Sequence, residues 1–587
     1  MRKAKTRLVP KTSLAVLGLA ALAGVCLAVE SIRARAAAPF LVPAAQAESE
    51  TGYDVLIKNG RIMDGTGNPW FAGDVAIRGD RIVQVGRLEG ATARRVIDAR
   101  GLVVAPGFID MLGQSEFDLL IDNRALSKLS QGITTEITGE GDSIAPQNDR
   151  SLARLRPFLE HYHLVIDWTT LDGYFTRLEK TGTPLNLGTY VGAAQLREAV
   201  IGSADRVPTP AELDEMKSLA AQAMQDGALG LSTALIYPPG HYAKTDELIE
   251  LARVAAQYGG IYSSHMRSEG QSEAAALDEA IRIGREAAIP VEIFHLKVIG
   301  KSRWGSMPNV VARINAARDS GVDVAADMYP YLAGRTSLAS SLPPWVAEGG
   351  TEKLLERLTD PRIRRRIRIE MASEHPEWEN LYLGSGGASG VMIASVKHDE
   401  LKRYEGKTIA ELARAKAKPP LEALFDFILA DHAQTGALYF WAGEQDLEYG
   451  LKQPWTSIGL DSGETSLDGP LFEPHGHPRG WGAMPRFLGH YARDLHLLPL
   501  EEAVRKITSL PAGRERLLGR GLLRPGFYAD VTVFNPATIK DTATYQTPAS
   551  LSQGVEYVYV NGELEYERGQ LTGARAGRVL RGPGAKK

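Results

Sequence analysis

The sequence predicts an α/β protein: a (β/α)8, TIM-like barrel with a small β-sandwich domain formed by both chain ends. Three observations predict it. Strand-like and helix-like segments alternate with short connections through roughly residues 106–505. Short alternating strands with glycine turns flank that middle on both sides. The length, 587 residues, suits a closed barrel plus a second small domain better than a single open sheet.

The chain starts differently. Arg2, Lys3, Lys5, Arg7 and Lys11 precede an apolar run over residues 14–29, and the small-residue stretch Ala34-Arg35-Ala36-Ala37-Ala38 follows. A basic start, a short apolar segment and small residues predict a secretory signal over residues 1–38, with an uncleaved N-terminal anchor as the alternative. Export to the periplasm or the medium is therefore expected, with no stable membrane span in the mature chain. Residues 39–51, rich in Ala, Pro and Glu, read as a linker. The one cysteine, Cys26, lies inside the apolar run. Without that segment the chain has no disulfide, thiolate ligand or cysteine nucleophile, so a metal must be held by His, Asp, Glu or a modified lysine. Apolar residues are 44% and charged residues 24% of the chain, as in folded proteins, and the net charge of −4 gives no reason to expect nucleic acid as partner.

Residues 52–105 form the first part of the predicted sandwich. Strands are expected at 54–57, 61–63, 74–77, 81–85 and 95–98, with Lys58-Asn59-Gly60 as a turn between the first two. Residues 506–587 supply the second part and a tail, with strands at 530–534, 555–560 and 563–566 and Asn561-Gly562 as a hairpin turn.

Within the predicted barrel, strands are expected at 134–138, 186–191, 229–232, 261–264, 291–294, 322–326 and 455–460. Helices are expected at 210–226, 246–258, 272–288 and 307–320. The first of these is announced by Thr209 with Glu212 three residues on, a capping box. Residues 340–440 break the rhythm with charged helices and no clear strand before 437–440, and read as an insertion over the barrel mouth.

His265 and His295 each follow a strand and lie thirty residues apart, one βα unit. Both then sit at the C-terminal ends of adjacent strands, where barrel sites are built, and two imidazoles there can converge on one metal ion. The bland alternative is a pair of buried, hydrogen-bonded histidines. Asp461 follows the late strand and faces the same mouth, where it can take a proton from a water and return it to a leaving nitrogen; it also suits an N-cap or turn. Glu140 leaves the 134–138 strand as a candidate oxygen ligand, with Asp142 competing for the role. In the loop His475-Gly476-His477-Pro478-Arg479, Arg479 or His477 can bind a substrate carboxylate. His161 and His163, in a polar stretch, are assigned no catalytic role.

These motifs resemble the amidohydrolase superfamily and, within it, the N-acyl-D-amino-acid deacylases (D-aminoacylases). The likeness runs from about Tyr53 to Gly582. Its marks include Pro106-Gly107-Phe108-Ile109-Asp110, Gln131-Gly132-Ile133-Thr134-Thr135, Tyr237-Pro238-Pro239-Gly240, the two histidine motifs, Asp327-Met328-Tyr329-Pro330-Tyr331 and Pro525-Gly526-Phe527-Tyr528-Ala529-Asp530. The resemblance implies zinc on His265 and His295 and a catalytic Asp461. It also implies that Lys297, Tyr329 and Arg479 contact substrate, with Lys297 and Arg479 suited to its carboxylate.

Two departures from the family pattern bear on the metal. The first barrel strand of the family usually ends in His-x-His, and here those positions are Leu112 and Gln114. The family's Gly-Asn-Cys-Gly loop is Gly139-Glu140-Gly141-Asp142, so the cysteine ligand is replaced by Gly141 and Glu140 must reach the metal from one position earlier. The expected centre is mononuclear: Glu140, His265, His295 and a water around one zinc per chain. The expected reaction is hydrolysis of the amide of an N-acyl-D-amino acid or a similar small N-acyl amino acid. The rivals are another small linear or cyclic amide (a dipeptide, hydantoin or lactam) and a non-catalytic barrel that only binds.

Overall fold

A computed structural model of the chain describes residues 52–586. The expected signal, its Cys26 and the linker lie outside the described residues. Among the described residues, no helix is long and apolar enough to cross a membrane.

Strands from both chain ends enter one nine-stranded mixed sheet. The seam is Val103–Pro106 against Val531–Phe534, antiparallel, with Val104 opposite Val533. Period-two alternation sorts the side chains: Val55, Ile57, Val75, Ile77, Val531 and Val533 share one core, while Leu56 and Ala76 face the other way. Asn561 and Gly562, with φ of 47° and 86°, turn the expected hairpin between Val555–Val560 and Glu563–Glu567.

The other Asn-Gly pair does something else. Lys58-Asn59-Gly60 is not a turn; Tyr53–Ile62 is a single strand with a register shift between Ile57 and Gly60. Asn59 adopts φ 63° and donates its N–H to Asp74 Oδ1 at 2.8 Å. A Cβ on Gly60 would meet Val104 Cγ2 at 2.5 Å, so the glycine is required by a neighbouring strand.

Eight parallel strands follow in order: Phe108–Asp110, Ile133–Thr138, Asn186–Thr189 continued by Val191–Gly192, Gly230–Ala234, Ile261–His265, Val291–Ile293, Val324–Met328 and Thr456–Ile458. Neighbours pair in sequence, and the last returns to the first. Met111 N–H donates to Ile458 O at 3.2 Å, Asp461 N–H to Leu112 O at 2.6 Å, and Gly113 bridges Ser462. This is the closed (β/α)8 ring. Its interior is filled by Ile109, Ile137, Tyr190, Leu229, Ile261 and Phe294, so the mouth rests on an apolar plug. The helix Pro210–Asp226 carries the predicted capping box and ends at Gly227, φ 117°.

The insertion differs from its expectation in one respect: it contains strands. Ala333–Ser337, Val391–Ser395 and Gly436–Phe440 form a separate three-stranded antiparallel sheet. The first of these starts before residue 340, so the departure from barrel rhythm begins just after the seventh strand. This sheet packs with the charged helices around its own core, which includes Leu354, Ile393, Leu424, Phe425 and Trp441.

Candidate metal centre

The fifth strand ends in His265, and His295 stands two residues past the sixth, in the left-handed region at φ 37°. Glu140 leaves the second strand through Gly139, φ 93°. The three meet. His265 Nδ1 lies 2.8 Å from Glu140 Oε1, His295 Nε2 lies 3.0 Å from the same oxygen, and the two nitrogens are 2.9 Å apart. Asp142 is exposed, pairs with Arg154 at 2.9 Å and takes no part, which decides between the two carboxylates.

This donor set fits a cation. His295 Nδ1 faces the buried Glu269 carboxylate at 3.1 Å and the Lys297 ammonium at 2.7 Å; with its proton given to Glu269, the Nε2 lone pair faces inward. His265 Nε2 is buried with no hydrogen-bond partner among the described residues; the Glu269 carboxylate 3.9 Å away favours a proton on it, which leaves the Nδ1 lone pair facing Glu140. Two lone pairs and a carboxylate oxygen then face one another across about 3 Å, an arrangement that repels unless a positive charge lies between them. Zinc bonds of about 2.0–2.1 Å in a tetrahedron put neighbouring donors roughly 3.3 Å apart, close to what is seen. Glu140 stands ionised, as a ligand must, whereas His295 without a cation holds the proton that a metal would displace. Burial works to raise Glu140, yet the two imidazoles hold its carboxyl well below the usual range. Burial and the Lys297 ammonium push His295 down, but Glu269 and Glu140 outweigh them and lift it to about 10.

A cavity of about 450 Å³ opens over these donors and is walled also by Asp461 and Arg479. Asp461 follows the eighth strand at φ 51°, a region a non-glycine residue enters at a cost. Its Oδ2 lies 2.8 Å from Arg479 Nη1. Burial raises the Asp461 carboxyl above its ordinary value, the Arg479 guanidinium opposes this, and the Glu140 charge adds to it. The opposite wall comes from the insertion: Arg335, Ser395, Lys397, Gln434 and Thr435.

The other expected contacts sit behind this cavity. The Lys297 ammonium is spent on Glu269 at 2.6 Å and lies against His295 Nδ1 at 2.7 Å. Tyr329 has the Arg479 guanidinium over its ring at 4.6 Å, and its buried hydroxyl has no partner among the described residues. His477 accepts the Arg479 N–H on Nδ1 at 2.9 Å, so its Nε2 carries the proton and donates to Ala333 O at 2.8 Å. Both ring nitrogens are thus committed to backbone, and burial with the adjacent Arg479 charge keeps the ring neutral. His477 joins the barrel to the insertion.

Two functional side chains escaped the sequence. Glu269, four residues after His265, braces both His295 and Lys297; only that spacing hinted at it. Gln114, at a position where the family usually has histidine, donates to Glu140 Oε2 at 2.6 Å and orients it. Leu112 is buried in the barrel plug.

Comparison with known proteins places the chain in a family. A model of the amidohydrolase family matches residues 95–566. A D-aminoacylase of Alcaligenes xylosoxydans xylosoxydans is 36% identical over 532 residues, covering 90% of this chain and 97% of the relative. A solved D-aminoacylase, described as having a binuclear metal centre activated by one metal and attenuated by the second, is 36% identical and superposes with a TM-score of 0.75 over 90% of this chain and 100% of its own. An N-acyl-D-glutamate deacylase from Bordetella bronchiseptica, solved with zinc and a phosphonate mimic of the tetrahedral intermediate, is 31% identical with a TM-score of 0.76 over 90% and 100%.

Proposed function

The chain belongs to the amidohydrolase family, on its N-acyl-D-amino-acid deacylase branch, and from that premise we propose that it hydrolyses the amide of a small N-acyl-D-amino acid at one zinc ion held by Glu140, His265 and His295. The observation that carries this reading is the convergence, in one cavity, of a three-donor centre, a carboxylate and a guanidinium. When bound, the metal supplies a Lewis acid that polarises the amide carbonyl and makes water more acidic. Asp461 takes the proton of the attacking water and returns it to the departing nitrogen; its raised pKa suits both duties. Arg479 receives the substrate carboxylate, and the Tyr329 ring behind it backs the guanidinium. Lys297 and Glu269 hold His295 in register, and His477 holds the Arg479 backbone.

A single metal follows from the first strand, where Leu112 and Gln114 offer no second imidazole pair. In this reading residues 1–38 are an export signal, 52–105 and 506–587 build a small β-sandwich domain, and 106–505 form the barrel with its insertion.

The test is a hydrolysis screen of the zinc-loaded protein against N-acyl-D-amino acids, their L enantiomers and cyclic amides, with metal analysis on the same sample. Release of free D-amino acid at about one zinc per chain is expected. Turnover of cyclic amides alone would overturn the substrate assignment, and a metal-free protein after supplementation would overturn the centre.

A further inference from the structure

Two buried lysines grip the eighth barrel strand, one at each end. At its start, Lys506 donates to the carbonyls of Gln453 and Thr456, the latter at 2.9 Å. Past its far end, Lys128 donates to the Ser462 carbonyl at 2.6 Å. Lys128 is wholly buried, and so are the two carboxylates that meet its charge, Asp110 at 2.7 Å and Glu136 at 3.3 Å.

Those carboxylates reach the same loop by other routes. Asp110 Oδ1 accepts the Leu460 N–H at 2.8 Å. Glu136 Oε1 accepts the Ser115 hydroxyl at 2.7 Å, and Ser115 Oγ accepts the Glu464 N–H at 2.8 Å. One buried ionic cluster therefore fixes three backbone groups around Asp461, which itself sits in the left-handed region. A buried ion cluster is a weak source of stability, because desolvation offsets the attraction. What it does well is fix geometry, and the geometry fixed here is one that the loop would otherwise relax.

We propose that Lys128 is a positioning residue for Asp461: through Ser462, Asp110 and Glu136 it holds the loop after the eighth strand in the conformation that aims the Asp461 carboxylate into the metal cavity. This rests on the reading of Asp461 as the proton carrier. Lys128 touches neither metal donors nor cavity, so its removal acts on proton transfer and leaves metal binding intact.

The experiment compares Lys128→Met with Lys506→Met in the zinc-loaded full chain. Both delete a buried ammonium that holds backbone carbonyls, but at opposite ends of one strand. Lys128→Met should keep its metal content and KM within about threefold and lose about 100-fold in kcat, as a misplaced catalytic group does. Lys506→Met should keep kcat within about threefold. Should Lys128→Met not fold, the neutral set Lys128→Met, Asp110→Asn and Glu136→Gln removes the stranded charges and is expected to show the same kcat loss. Crystal structures of the folded variants supply a readout independent of substrate: Asp461 should leave its positive φ in the Lys128 variants only. Retained kcat with an unmoved loop, an equal loss in Lys506→Met, or failure of both Lys128 variants to fold would overturn the proposal. A wild-type protein that cleaves no N-acyl amino acid would sink the proposed function instead, and the position of Asp461 in the variants would still decide this one.

Discussion

The two halves of the barrel mouth use strand ends in opposite ways. On one side, the second, fifth and sixth strands deliver Glu140, His265 and His295, whose donor atoms face one another with nothing of the protein between them. On the other, the first and eighth strands deliver Leu112, Gln114 and Asp461, and of the nearby charges Asp110 and Lys128 are turned onto backbone while Glu136 reaches it only through the Ser115 hydroxyl. The donors on one side are left to hold a cation; the charges on the other already have one, an ammonium from the chain itself. A barrel mouth can thus carry coordination and bracing side by side, and residue type alone does not tell them apart. Asp110 and Glu136 are carboxylates as surely as Glu140 is.

The comparison breaks most sharply at the ligands. His265→Ala or His295→Ala should abolish both metal content and hydrolysis, because two remaining donors no longer make a catalytic site; equal metal uptake by either variant would mean the ion sits elsewhere. Asp461→Asn should cost about 1,000-fold in kcat with metal retained, within the range for a lost general acid–base group, as read by steady-state kinetics beside elemental analysis. Glu269→Gln removes the brace behind His295 and should weaken zinc affinity by about 10–100-fold in a chelator competition assay. The smallest effect belongs to Gln114→Ala, about tenfold or less in zinc affinity by the same assay, since Glu140 keeps its two imidazole neighbours and loses only an orienting amide. A Gln114 effect as large as that of Glu269 would shift the boundary between the two halves.

Much of this was legible in the residues. The alternation of short strands and helices gave the barrel, and the matched positions of His265 and His295 gave the centre, because both signals are local and repeat at a fixed spacing. What stayed hidden depends on distant partners. Asn59-Gly60 and Asn561-Gly562 have the same chemistry, yet only the second turns the chain; the first lies at a register shift within one strand, where Val104, on another strand, leaves no room for a Cβ on Gly60. The strand Ala333–Ser337 lacks an apolar pattern, Val391–Ser395 is an apolar run too short to tell strand from helix, and both pair with Gly436–Phe440, one on either side. His477 sits in a motif typical of donors, but the Arg479 amide and Ala333 carbonyl consume both nitrogens. Lys128 reads as a surface lysine until its two carboxylates are brought to it.

The seam between Val103–Pro106 and Val531–Phe534 carries a consequence for synthesis. A chain still on the ribosome lacks one side of that seam until almost all of it has been made, and the ring after it cannot close before Thr456–Ile458 arrives. Contacts this far apart in sequence make folding slow and late. Completion of the fold therefore waits until nearly the whole chain has been made.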